Sequence, residues 1–174
     1  MTEKETIEHV LATGRFSRTF DDYSNYIFFV LPLAFIAIGI SMVYNYFKFD
    51  SGLPILAIGF LFISLGAAFA GFILKRLNDN ISFKTVSLPA GLDIDKVAAL
   101  LRQNFKLRNM DIDKDLNSIV AFTKITAFSW GEQLTLVFDK EDILINSRPS
   151  GSRQPITIVK DRQNIRKIER MLLG

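Results

Sequence analysis

The sequence predicts a membrane α-helical hairpin followed by a small α+β domain, an antiparallel sheet with two helices packed on one face in the order β-α-β-β-β(-β)-α. Three features lead there: two uncharged apolar runs parted by a short polar break, a shift of composition after Arg76, and alternating strand-like and helical patterns in the remainder.

The first run, Tyr26 to Tyr46, holds 21 residues without a charge. At about 1.5 Å per residue it reaches roughly 30 Å, the thickness of a bilayer core. The second, Leu53 to Leu74, is also uncharged, and only the six residues Phe47 to Gly52 part the two, which forces an antiparallel hairpin. A soluble core would have to cover both helices on every face, and a chain of 174 residues leaves little protein to do it. Tyr23 and Tyr26 flank one end of the first run and Tyr44, Tyr46, Phe47 and Phe49 the other, where aromatic rings favour the headgroup region.

Arg15 and Arg18 precede the first span and Lys75, Arg76 and Lys84 follow the second, while Lys48 alone lies in the turn. The richer side is normally cytoplasmic, so both termini are expected in the cytoplasm of a cell with a plasma or inner membrane. The expected divisions are a cytoplasmic amphipathic tail, residues 1–25, the transmembrane hairpin, 26–76 with spans 26–46 and 53–74, and a cytoplasmic α+β domain, 81–174.

A mean hydropathy of +0.23 excludes a disordered chain. The absence of Cys excludes disulfides and thiolate chemistry, and His9 is the only histidine. The tail opens acidic with Glu3, Glu5 and Glu8, unlike a cleaved targeting segment. Thr2 to Thr13 can form a helix with Ile7, Val10 and Leu11 on one side, followed by Phe16 and Phe20; it either lies on the membrane surface or frays.

Neither span carries an ionisable side chain, which argues against autonomous transport. The second does carry small residues at helix-packing spacing: Gly66 and Ala70, Ala67 and Gly71, and Gly59 one heptad before Gly66. The first offers Ala37 and Ser41. Such residues let backbones approach closely, whether they pack the hairpin on itself or receive a partner helix or a second copy. Pro32 is placed to bend the first span, and Pro54 suits the first turn of the second.

Leu77 to Asn80 read as a linker, and Ile81 to Val86 as a strand ended by Pro89-Ala90-Gly91. From Asp93 to Phe105, Ile94, Val97, Ala98, Leu101 and Phe105 fall on one helical face. Strands are expected near Leu107 to Ile112, Ser118 to Ile125, Gln133 to Asp139 and Asp142 to Ser147, with a hairpin turn from Asp139 to Asp142. Arg148 to Pro155 reads as a loop, Ile156 to Val159 as a short strand or helix entry, and a final helix runs to about Leu173. Trp130 reads as a plug at the bend before the hairpin.

Asp111, Asp113 and Asp115 alternate as in a calcium loop, but Leu116 stands where Gly is required and Phe122 where Glu is, so a solvated acidic turn is expected. Asn80-Ile81-Ser82 matches a glycosylation sequon on the wrong side of the membrane. Nothing matches a phosphate loop, a dinucleotide fingerprint or Cys/His metal spacing, so neither metal nor cofactor is expected. Without His or Cys in the domain, a nucleophile lacks its usual base.

Basic residues stand out near the end: Arg148, Arg153, Lys160, Arg162, Arg166, Lys167 and Arg170, against Asp161 and Glu169. On a helix Arg162, Arg166 and Arg170 form a stripe opposite Ile165, Ile168, Met171 and Leu172. That stripe is a solvated face or a surface for anionic lipid or an acidic partner; nucleic acid is disfavoured because no aromatic stacking surface accompanies it. The expected function is a non-enzymatic accessory or scaffolding module in a membrane, with membrane lipid and a membrane protein or a second copy as partners. The alternatives are a membrane-bound enzyme acting on a phosphorylated or lipid substrate through Arg148 to Arg153, and a self-associating membrane component.

Overall fold

A computed structural model describes residues 2–49, 52–125, 131–150 and 160–173. Trp130, Arg153 and the segment Ile156 to Val159 lie outside the described residues. The chain divides into two compact units, one formed by Phe20–Leu77 and the other by Met1–Thr19 together with Asn78–Gly174.

The first unit begins with α2 (Phe20–Ser24) and a 3-10 turn (Asn25–Phe29), continues in α3 (Val30–Phe49), and returns in α4 (Gly52–Ile81), whose last residues belong to the other unit. Against the expected spans, α3 starts four residues later and ends three later, α4 runs past its span at both ends, and the expected linker Leu77 to Asn80 is helical. No Pro or Gly interrupts it, and the helix stops where the Ser82 hydroxyl donates to the Asn78 carbonyl at 2.8 Å. The helices meet along a seam of one-heptad spacing, with Pro32 and Gly39 buried on α3 and Gly59 and Gly66 buried on α4. A methyl group on Gly39 would stand 2.6 Å from the Gly59 carbonyl oxygen, and one on Gly66 2.8 Å from that of Pro32, so only glycine permits this approach. Phe35 and Phe62 stack beside the seam with centroids 5.5 Å apart. Tyr26 stacks on both Tyr23 and Phe29, so the aromatic residues at the first helix entry form one array.

The second unit is built on a five-stranded antiparallel sheet: β1 (Lys84–Ser87), β2 (Leu107–Asp113), β3 (Ser118–Thr123), β4 (Glu132–Asp139) and β5 (Asp142–Pro149), in spatial order β1-β5-β4-β3-β2. Between β1 and β2 runs α5 (Ile94–Asn104), whose Asp93 side chain caps the Lys96 amide at 2.8 Å; α6 (Lys160–Leu173) closes the chain. The expected alternation of elements is present, with β1 starting three residues later than Ile81 and β5 running on to Pro149. Strand alternation sends Ile119, Ala121, Leu134, Leu136, Ile143 and Ile145 to one face, where Val97, Ala98 and Leu101 of α5 and Ile168 and Leu172 of α6 cover them. This is the core, and both helices lie on the expected single face.

The opposite face is not left to solvent. Along it, α1 (Glu3–Thr13) buries Ile7 and Val10 in a cluster with Phe16, Ile81, Val137 and Leu144. A capping box between Thr2 and Glu5 starts this helix, and Gly14 at φ 66° ends it. The chain then runs beside Ser82, held by the Phe16 amide on the Ile81 carbonyl and the Phe83 amide on the Gly14 carbonyl, each at 2.8 Å. The amphipathic helix expected on a membrane surface or frayed instead spends Ile7 and Val10 on the sheet, because Val137 and Leu144 point there and need cover, while Leu11 stays exposed.

Candidate functional site

The basic residues picked from the sequence divide between two faces of the sheet. Ile168 and Leu172 anchor α6 to the core, which turns Arg162, Arg166 and Arg170 outward as an exposed stripe with Lys167 beside it. Arg148 lies across the sheet: its guanidinium donates to Gln133 Oε1 at 3.3 Å and sits 4.4 Å from the centroid of Phe16, in the cluster that α1 covers. Lys160 is half-buried at the start of α6.

Several members of the stripe are held by neighbours. Arg162 donates to Asp79 at 2.9 Å, and that hydrogen bond, with the charge of the same carboxylate, raises its pKa above the ordinary arginine value. Lys167 donates to the Asn104 carbonyl and lies over the Phe105 ring, 4.5 Å from its centroid. Arg170 Nε donates back to the Arg166 carbonyl at 3.3 Å. Between the end of α5 and α6 an open hollow of about 570 Å³ is lined by Asn104, Gln163, Lys167, Arg170 and Met171, with two cations and no acid.

The register assembles a second basic group that linear spacing conceals. Leu107 pairs with Thr123, and the Lys124 amide donates to the Lys106 carbonyl at 2.8 Å, so Lys106, Arg108 and Lys124 share one end of the sheet. Arg102, in the last turn of α5, and Lys167, bonded to Asn104, stand at that same end. All five are exposed. At the opposite end, the turns after Asp113 and Asp139 and the start of α5 carry Asp93, Asp95, Asp115, Asp139, Glu141 and Asp142, against Lys96, Lys114 and Lys140.

The small residues chosen for packing also divide. Gly59 and Gly66 lie in the hairpin seam opposite Gly39 and Pro32, Ala70 is half-buried, and Ala67 and Gly71 are exposed, with nothing within 4 Å of a methyl group placed on Gly71. Ala37 and Ser41 are exposed as well; on α3 it is Pro32, Ile36, Gly39 and Val43 that meet the glycines or neighbouring residues of α4. Among the described residues no group of three or more His, Cys, Asp and Glu converges as metal ligands. Comparison of the chain with protein-family models, with curated proteins and with solved structures finds no match.

Proposed function

We propose that the chain is an integral membrane protein with two spans and both termini cytoplasmic, whose sheet unit works as a non-enzymatic, membrane-proximal interaction module in an accessory or scaffolding role. The observation that carries this reading is the apolar surface left uncovered on two long helices. The segments Asp22–Phe49 and Gly52–Ile81 are 28 and 30 residues long, yet only 11% of the most apolar stretch of each is buried. Ile27, Val30, Leu33, Leu53 and Phe60 are each more than half exposed. Burying one such side chain yields about 1.5–3 kcal/mol, so leaving many in water carries a cost that a bilayer removes. Lys48, the one cation of the turn side, lies 5.5 Å from the Tyr44 ring centroid and 5.2 Å from that of Phe49, an arrangement suited to an interfacial belt.

The chain is free of cysteine, so single cysteines report topology without background. An impermeant maleimide applied to intact cells is expected to label Lys48→Cys and to spare Lys140→Cys, which sits in the exposed turn between β4 and β5. Labelling of position 140 alone would reverse the orientation, and extraction of the parent chain by alkaline carbonate would remove the membrane reading altogether. Purification in mild detergent then separates the roles. A stoichiometric membrane protein supports the accessory module, whereas a homo-oligomer transfers support to self-association through the exposed side of α4 that carries Ala67 and Gly71.

A further inference from the structure

We infer that the basic end of the sheet unit, formed by Arg102, Lys106, Arg108, Lys124 and Lys167, is the surface that meets the anionic leaflet, and that the outer stripe of α6 is not. Charge is segregated along the strands of this unit. The end where β3 finishes and β2 starts is basic, and the end with the β2–β3 and β4–β5 turns is acidic. A body polarised in this way orients in the field of an anionic surface, because turning over would bring its carboxylates against the lipid.

The two segments through which the unit continues into the hairpin run side by side, with the Arg15 guanidinium donating to Asn78 Oδ1 and the Phe16 amide to the Ile81 carbonyl. Asn146 of β5 donates to the carbonyls of Asn80 at 3.1 Å and Ser82 at 2.7 Å, which fixes the second segment beside the β1 edge. A surface tethered near a membrane acts at a high effective concentration. The hollow beside Lys167 and Arg170 adds a concave feature that a phosphate headgroup can enter, with Asn104 and Gln163 as polar neighbours. Of the stripe residues away from that hollow, Arg162 is engaged by Asp79.

The inference rests on the two-span reading, and the test keeps the two apart. The full chain carrying an environment-sensitive fluorophore at Asn109→Cys, on β2 beside Arg108, or at Lys140→Cys, at the acidic end, is reconstituted into nanodiscs. The discs contain phosphatidylcholine alone or mixed with phosphatidylglycerol, always with a trace of headgroup-nitroxide lipid as quencher. In the anionic discs the position-109 probe is expected to lose most of its emission and the position-140 probe little. Raising salt from 0.1 M to 1 M, which shortens the Debye length from about 10 Å to about 3 Å, should restore the lost emission. Changing Lys106, Arg108 and Lys124 together to Gln should abolish the anion-dependent quenching, whereas Arg162→Gln with Arg166→Gln should leave it. A chain that fails to enter the discs overturns the two-span reading and this inference with it. A chain that enters but shows equal quenching at both positions, quenching indifferent to phosphatidylglycerol, or loss of quenching only in the α6 pair overturns this inference alone. The last outcome would return the contact to the stripe, and quenching in no disc would leave the basic end to an acidic protein.

Discussion

Val10→Asp is expected to strip the back of the sheet and to destabilise the second unit by several kcal/mol. Val10 is fully buried in the cluster that joins α1 to Val137 and Leu144. A carboxylate there would lose its hydration, and the effective penalty for burying an ion is on the order of several kcal/mol. Val10→Ala separates packing from charge: it deletes two methyl groups and leaves a cavity, a loss of about 2 kcal/mol. Glu8→Ala on the exposed side should change stability by less than about 0.5 kcal/mol. Amide hydrogen exchange of the full chain in detergent is the direct measurement, because peptides covering Val137 and Leu144 report on the sheet independently of the hairpin. Protection in Val10→Asp equal to that of the parent would show that α1 is dispensable to the sheet.

This outcome bears on what could be read in the sequence. Strands and helices from Asp93 onward were legible because each buries a single regular face: Val97, Ala98 and Leu101 on α5, Leu134 and Leu136 on β4, Ile143 and Ile145 on β5. The two apolar helices were legible from length and absence of charge alone. The role of α1 was hidden because Ile7 and Val10 are few and flanked by Glu3, Glu5 and Glu8, a pattern that a membrane surface, a frayed end and a sheet face satisfy equally. The missing signal lay in β4 and β5, where Val137 and Leu144 interrupt the polar side of their strands and imply a second covered face.

The basic surface shows the same limit. Arg162, Arg166 and Arg170 recur at helical spacing, so one element displays them. Arg102, Lys106, Arg108 and Lys124 come from α5, β2 and β3 and their flanks, and only the pairing of Leu107 with Thr123 makes neighbours of them. Proximity along the chain likewise grouped Arg148 with the stripe. The alternation of β5 sends it to the opposite face, toward Phe16.

The hairpin yields the other large expected effect, and it turns on which glycines are in contact. Gly39→Val should drive α3 and α4 apart, whereas Gly71→Ala should be tolerated. A side chain on Gly39 would meet the Gly59 carbonyl oxygen at 2.6 Å and the Ile63 amide nitrogen at 2.9 Å, and neither backbone atom can yield without moving a helix. Gly66→Val meets a comparable obstacle in the Pro32 carbonyl, at 2.8 Å. Overpacking of a close contact costs roughly 1–3 kcal/mol, and in a seam built on backbone approach at glycine no side-chain rotation relieves the backbone contact. Gly71 is open, so an added methyl meets nothing in the hairpin. Cysteines placed at Phe35 and Phe62, whose rings stack across the seam, should form a disulfide readily in the otherwise cysteine-free parent and in Gly71→Ala. In Gly39→Val and Gly66→Val the rate of that crosslink should fall severalfold; unchanged rates would mean that the two helices do not meet along these glycines. Should Gly71→Ala instead leave the crosslink intact and dissolve a homo-oligomer seen with the parent, the exposed side of α4 would be the surface through which copies associate.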